Sequence, residues 1–130
     1  MRRRRSKYGN IKTMLDGIEF HSKGEARRWA ELKLLEAAGE ITKLQRQVDF
    51  NLDHSITFDE IGVGRSVKRK CKYIADFTYE ELSEAGTHKA YVVEDFKGGP
   101  LTETFKFKAM LFEKKFGYPI RISRRDNRTK

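Results

Sequence analysis

Three residues have the types and the spacing for chemistry. Asp95 and Lys97 stand two apart in the run Ala90–Lys97, so in a strand they project from one face while Glu94 and Phe96 take the other. Asp76 lies near the end of an earlier alternating run, and a turn over 80–89 would pair the two runs as antiparallel strands, with Asp76 across from Asp95 and Lys97. Two carboxylates at short range repel and need a compensating charge, from a divalent cation or from a lysine. A hard cation such as Mg²⁺ takes oxygen ligands and keeps some of its waters, so carboxylates beside a phosphate suit it, and a water it acidifies is a nucleophile. A neighbouring lysine can orient that water or stabilise charge on the phosphorus oxygens. The constellation predicts phosphodiester hydrolysis. Its bland rival is a surface ion pair of Asp76 with Lys72 or Lys97, which the carboxylate, carboxylate and lysine grouping disfavours.

The elements that must position these residues can be read on either side. Asp16-Gly17 between two apolar stretches predicts a small hairpin over Thr13–Phe20. Ser22-Lys23-Gly24-Glu25 reads as a capping box, Ser22 accepting from the amide of residue 25 and Glu25 reaching back to the amide of residue 22. A helix follows to about Ala38, with Ala26, Trp29, Leu32 and Leu35 recurring every three residues, Ala30 and Leu34 beside them, and Gly39 as its stop. Val48, Phe50 and Leu52 then alternate with Gln47, Asp49 and Asn51, the pattern of a half-buried strand. Residues 53–66 read as a connection, with a strand turn around Ile56 and Phe58. Val67, Cys71, Tyr73, Ala75, Phe77 and Tyr79 share one parity, which predicts one long strand whose outer half carries Lys68, Lys70 and Lys72. After the strand 90–97, Gly98-Gly99-Pro100 is a break and Thr102 caps a second helix, with Phe105, Ala109, Phe112 and Phe116 on one face and Gly117 at its end. Tyr118–Ile122 reads as a last strand. Helix, three strands, helix and strand make a mixed α/β sandwich.

Composition narrows the partners. The 130 residues carry 28 Lys and Arg against 19 Asp and Glu, a net charge of +9, and the excess lies in the two ends. Arg2, Arg3, Arg4, Arg5 and Lys7 form a basic arm over residues 1–7, and Arg124 and Arg125 belong to a basic tail over 123–130. Such ends suit a polyanion, and nucleic acid is the commonest. The length predicts a single domain over residues 1–130. One cysteine, Cys71, excludes an internal disulfide and a cysteine-rich zinc site, and points to a reducing compartment. No apolar run approaches the ~20 residues of a membrane helix, so a cytoplasmic protein without a membrane partner is expected. His21, His54 and His88 lack ligand spacing, and of these only His21 neighbours the helix carrying Glu25.

Asp76 followed by Asp95-Phe96-Lys97 resembles the D…(D/E)xK signature of the PD-(D/E)XK nuclease superfamily. Lys7-Tyr8-Gly9-Asn10, Asp16-Gly17-Ile18, Ser22-Lys23-Gly24-Glu25-Ala26-Arg27-Arg28, Glu31-Leu32-Lys33-Leu34-Leu35-Glu36 and Tyr73-Ile74-Ala75-Asp76-Phe77 are similar to an uncharacterised, mostly phage-encoded family within it, over about residues 6–122. The resemblance implies a restriction-endonuclease-like αβββαβ core, a central mixed sheet flanked by helices, here preceded by the small hairpin. It implies Asp76 and Asp95 as metal ligands, Glu25 as the helix-borne acid that completes the site, Lys97 as the catalytic lysine, and Mg²⁺ as the cofactor, with Mn²⁺ able to substitute. Ala75 stands where the signature has proline, a position that binds no metal. Glu94 faces away and is the poorer ligand, while Gln47 resembles a glutamine recurrent in the strand after the first helix of such nucleases.

The function expected is therefore a metal-dependent DNA endonuclease selective for branched DNA, such as Holliday junctions, in phage recombination or replication. One site cuts one strand, so paired cleavage implies a homodimer. Arg2, Arg3, Arg4, Arg5, Lys7, Lys68, Lys70, Lys72, Arg124 and Arg125 are the expected DNA contacts. A catalytically silent nucleic-acid-binding module and a nuclease subunit of a larger DNA-processing complex are the alternatives.

Overall fold

Asp16 (φ 52°) and Gly17 (φ 76°) take the two left-handed positions of a tight turn, and they close a hairpin of β1 (Thr13–Leu15) and β2 (Ile18–Phe20). The computed structural model describes residues 12–125. The expected contacts at Arg2, Arg3, Arg4, Arg5 and Lys7, and the tail from residue 126 on, lie outside the described residues.

Helix α1 (Lys23–Ala37) begins as its sequence dictates, with Ser22 Oγ accepting from the Glu25 amide at 3.1 Å. The reciprocal half of the expected capping box gives way, because the Glu25 side chain is buried in the protein and its Oε1 has no hydrogen-bond partner. Ala26, Trp29 and Leu32 face the core, whereas Leu34 is 72% exposed.

The central sheet has four strands in the order β3 (Ile41–Asn51), β6 (Lys72–Leu82), β7 (Lys89–Phe96) and β8 (Arg121–Ser123). The first three pair antiparallel, and β8 lies parallel to β7. A parallel pair needs a crossover, and α2 (Glu103–Phe116) supplies it, capped by Thr102 and ended by Gly117. Val92 and Val93 are neighbours in β7 yet join different cores, so the helices cover opposite faces of the sheet. Phe20, Trp29, Leu32, Phe77 and Tyr79 fill the core under α1, and Leu52, Tyr73, Ala75, Phe105 and Phe112 fill the one under α2. The order of the body is thus helix, three strands, helix and strand, with one addition.

That addition corrects the reading of residues 53–79. The segment read as a connection is the first strand of a hairpin, β4 (His54–Glu60) paired with β5 (Val63–Arg69), a separate two-stranded sheet. The long strand over 67–79 is therefore two strands. Lys68 belongs to β5, Lys70 to the break, and Lys72 opens β6, so the three lysines share no strand face. The common parity of Tyr73, Ala75, Phe77 and Tyr79 is also interrupted, since the first two pack under α2 and the last two under α1. The changeover falls at Asp76. Its opposite number is Gln47, bracketed by the pairs Arg46↔Phe77 and Val48↔Ala75, and Gln47 has a φ of 54° inside a strand.

Smaller boundaries move as well. β6 runs on to Leu82, leaving Ser83–His88 as the turn, where Ser83 Oγ accepts from the amides of Thr87 and His88. The last strand is Arg121–Ser123 instead of 118–122.

Candidate active site

Paired residues of β6 and β7 end at Phe77↔Glu94, so Asp76 and Asp95 stand just where the two strands part. Asp76 Oδ2 accepts from the Phe96 amide at 2.8 Å, which pins the Asp76 carboxyl to the end of β7. Asp95 Oδ2 meets Lys97 Nζ at 2.7 Å, and that ammonium lies 3.9 Å from the centre of the Phe105 ring. The Lys97 amide donates to the Ser123 carbonyl at 2.9 Å, which holds the lysine beside β8.

Glu25 approaches from the first turn of α1. Its neighbour Gly24 is what permits the approach, because a Cβ there would collide with the Phe96 ring. Glu25 is 5% exposed, and His21 Nδ1 lies 3.8 Å from its Oε2. All four expected site residues, Glu25, Asp76, Asp95 and Lys97, line one cleft of about 980 Å³.

The electrostatics are those of crowded carboxylates. Burial pushes the Asp76 carboxyl up to about 8, with the charges of Asp95 and Glu25 adding to the effect against the Phe96 amide. Burial also raises Glu25, opposed by His21 and Arg46 and reinforced by Asp95. Among the described residues, no group of three or more His, Cys, Asp or Glu is placed to hold a metal ion. Asp95 pairs with Lys97, and Asp76 meets both the Phe96 amide and Asp95.

Of the expected DNA contacts, Lys72 and Arg125 line the cleft. Lys68 and Lys70 lie away from it, on the hairpin and at its root, and Arg124 Nη1 donates to the Gly99 carbonyl at 2.8 Å. The structure adds residues that sequence reasoning did not select. Lys23, Arg27 and Lys108 line the cleft, as do Thr102 and Thr104 at the start of α2. Tyr73 lines it too; its Oη is buried against Asp95 without a well-formed hydrogen bond, and burial, followed by the charges of Asp95 and Asp76 and the contact with Asp95, raises its pKa. A capping Thr102 was the only signal that the start of α2 would matter, and nothing in the sequence indicated its proximity to Asp95.

Glu94 faces the other side, as its parity requires, and is fully buried. Burial alone would raise its carboxyl, but hydrogen bonds from Arg28, Tyr79 and Ser123 outweigh that and hold it below the usual carboxylate range.

No curated protein and no solved structure matches the chain. The model of a family described as a protein of unknown function (DUF1064) matches residues 5–124, nearly the whole length, and the chain belongs to that family.

Proposed function

We propose that the chain is a metal-dependent DNA endonuclease of the PD-(D/E)XK type, acting on branched DNA such as Holliday junctions. The observation that carries this reading is the contact of two buried carboxylates, Asp76 and Asp95, in one cleft with Glu25 and Lys97. The order of helix, three strands, helix and strand, with the acids at the parting of β6 and β7, is what such a nuclease core would have.

The residues fit a divalent cation on their own chemistry. Glu25 Oε1 is a buried carboxyl oxygen with no hydrogen-bond partner, and burial together with the charges of Asp95 and Glu25 raises Asp76, strain that a bound cation would relieve. Glu25, Asp76 and Asp95 would hold Mg²⁺ or Mn²⁺, each an oxygen donor suited to a hard ion. Bound there, the ion would supply Lewis acidity toward a phosphate oxygen and a water.

The chain's own groups do the rest. The Phe96 amide fixes one oxygen of Asp76, whose carboxyl also meets Asp95. Lys97, released from Asp95, is placed to donate to a phosphorus oxygen as charge develops there. Lys23, Arg27, Lys72, Lys108 and Arg125 give the cleft cationic walls that seat the flanking phosphates. Water adds to phosphorus, one P–O ester bond breaks, and the water's proton ends on the leaving oxygen, giving a phosphomonoester and a hydroxyl.

The test is a cleavage panel over four-way junction, flap, single strand and linear duplex, with Mg²⁺ or Mn²⁺ and with chelator. Junction nicking that needs the metal and disappears in Asp76→Asn and Asp95→Asn, with junction binding retained, is the expected result. Undiminished cutting by Asp95→Asn would remove Asp95 from the site. A silent binding module is the second reading, favoured by the Asp95–Lys97 pair that ties up a ligand. It requires junction binding without turnover in either metal.

A further inference from the structure

The hairpin of β4 and β5 contributes no strand to the central sheet, and its pairing is with itself alone. A two-stranded ribbon is marginal in water unless one face is covered. The pairs His54↔Arg69, Ile56↔Val67, Phe58↔Arg65 and Glu60↔Val63 place these residues on one face. There Ile56, Phe58 and Val63 are 43%, 49% and 67% exposed, interleaved with Arg65 and Arg69. Ile61 at the tip is wholly exposed with a φ of 53°, a conformation β-branched residues avoid.

Charge indicates what covers this face. Between Arg65 and Lys72, five of eight residues are basic and none is acidic. Lys72 lines the cleft, so the basic run leads from the cleft onto the arm. Lys68, Arg69 and Lys70 form no ion pair among the described residues, while the nearby acids are engaged. Asp53 Oδ1 accepts from the Cys71 amide at 2.8 Å, Asp59 Oδ1 accepts from the Gly62 amide at 3.0 Å, and Glu60 lies 3.9 Å from Arg65.

We propose that this hairpin docks in the major groove of duplex DNA flanking the cleft. Its arginine and apolar face lies against the base edges, and Lys68 and Lys70 lie against phosphates. The proposal rests on the reading of the cleft as a DNA site. Strands of seven residues at ~3.3 Å each make an arm roughly 20 Å long, enough to reach from a seated phosphate into the adjoining groove. The major groove of B-DNA admits a two-stranded ribbon, and it offers guanine acceptors to arginine and thymine methyls to apolar side chains. The deep, narrow groove of A-form RNA does not admit side chains, so the arm separates DNA from RNA duplexes.

The experiment is fluorescence anisotropy on a DNA duplex and an RNA duplex, each roughly two helical turns long. It is carried out in the Asp95→Asn background so that only binding is read. The combined Arg65→Ala, Lys68→Ala and Arg69→Ala variant keeps the ribbon; a second variant joins Ile56 to Val67 through two glycines. Both are expected to weaken DNA binding by about tenfold or more; the triple variant should lower the salt slope by about 2 to 3, and the shortened one, which loses only Arg65 among the basic residues, by about 1. RNA binding should change by less than about threefold. Undiminished DNA affinity, or an equal loss on both duplexes, would overturn the proposal. So would a shift from dimer to monomer on arm removal with DNA affinity unchanged, which would make the arm a self-association surface. Cleavage by the unmodified chain is scored separately: arm-dependent binding without any cleavage would defeat the nuclease reading and leave the arm's role standing.

Discussion

Arg28 and Glu94 form a two-pronged ion pair, Nε donating to Oε2 at 2.8 Å and Nη2 to Oε1 at 2.9 Å. The carboxylate is fully buried and is completed by Tyr79 Oη at 2.6 Å and Ser123 Oγ at 2.9 Å. Four elements meet at this one group. Because Arg28 is one turn beyond Glu25 in α1, and Glu94 precedes Asp95 in β7, the pair ties the helix that carries Glu25 to the strand that carries Asp95.

Breaking this pair should be costly in one direction and milder in the other. Arg28→Ala leaves an anion buried with only hydroxyl partners, and a loss of about 3 kcal/mol in chemical denaturation is expected. Glu94→Gln in the Arg28→Ala background should recover part of that loss, because the amide carries no charge. A double variant as unstable as the sum of the two single ones would show that the pair carries no coupling.

The same carboxylate makes stability fall in acid. Its folded-state pKa lies below the ordinary value, so its contribution is present above that ordinary value and disappears as pH falls through the folded one. Glu94→Gln should therefore flatten the acid limb of the stability profile measured by urea titration. An acid limb identical to that of the parent chain would mean that other groups dominate it.

Asp76 acts with the opposite sign. Folded, it keeps its proton up to about 8, whereas in the unfolded chain it loses it near 3.8. The folded state binds the extra proton in between, so the metal-free protein should lose stability as pH rises from about 4 to 8. Asp76→Asn keeps an acceptor for the Phe96 amide and removes the charge. With chelator at pH 8 it should be more stable than the parent by about 1 kcal/mol or more, yet inactive. Thermal melts at pH 5 and pH 8 check this, and a lower melting temperature for Asp76→Asn at pH 8 would contradict it.

Gly24 should prove a site of steric control. A methyl there meets the Phe96 ring, whose backbone carries the amide that fixes Asp76. Gly24→Ala gains about 1 kcal/mol of helix propensity in principle, so a net loss of stability and of activity would measure the clash. Adding Phe96→Leu makes room and should restore the folded state; failure of the second substitution to help would locate the damage elsewhere.

The parts legible in sequence are those built from neighbours in the chain. Ser22, Gly39, Thr102 and Gly117 marked both helices, because caps act within a turn, and Asp16-Gly17 marked the first hairpin. The second hairpin was hidden because its turn puts Ile61 at a positive φ that turn rules assign to Gly, Asn or Asp, and its apolar residues face solvent. The break at Asp76 was invisible because alternation continues through it, the deviation lying in the φ of Gln47 on another strand. Asp76, Asp95 and Lys97 could be brought together from spacing alone, whereas Arg28 and Glu94 meet across 66 positions through a fold that had to exist first.

Tyr73 offers a way to separate the two states of the site. Its hydroxyl is buried beside Asp95 and Asp76 and short of a well-formed hydrogen bond, an arrangement that costs up to about 1–3 kcal/mol without compensation. While Lys97 holds Asp95, the hydroxyl meets that carboxylate without a well-formed hydrogen bond. Once a cation draws on the carboxylates, the same O–H can donate to Asp95 and steady it, as outer groups do around metal ligands. Tyr73→Phe should therefore raise the melting temperature of the metal-free protein, and weaken Mg²⁺ binding by about tenfold in calorimetry. The two effects have opposite signs, which a merely structural tyrosine would not produce. Metal affinity unchanged in Tyr73→Phe, with any change in stability, would leave the hydroxyl without a part in holding Asp95.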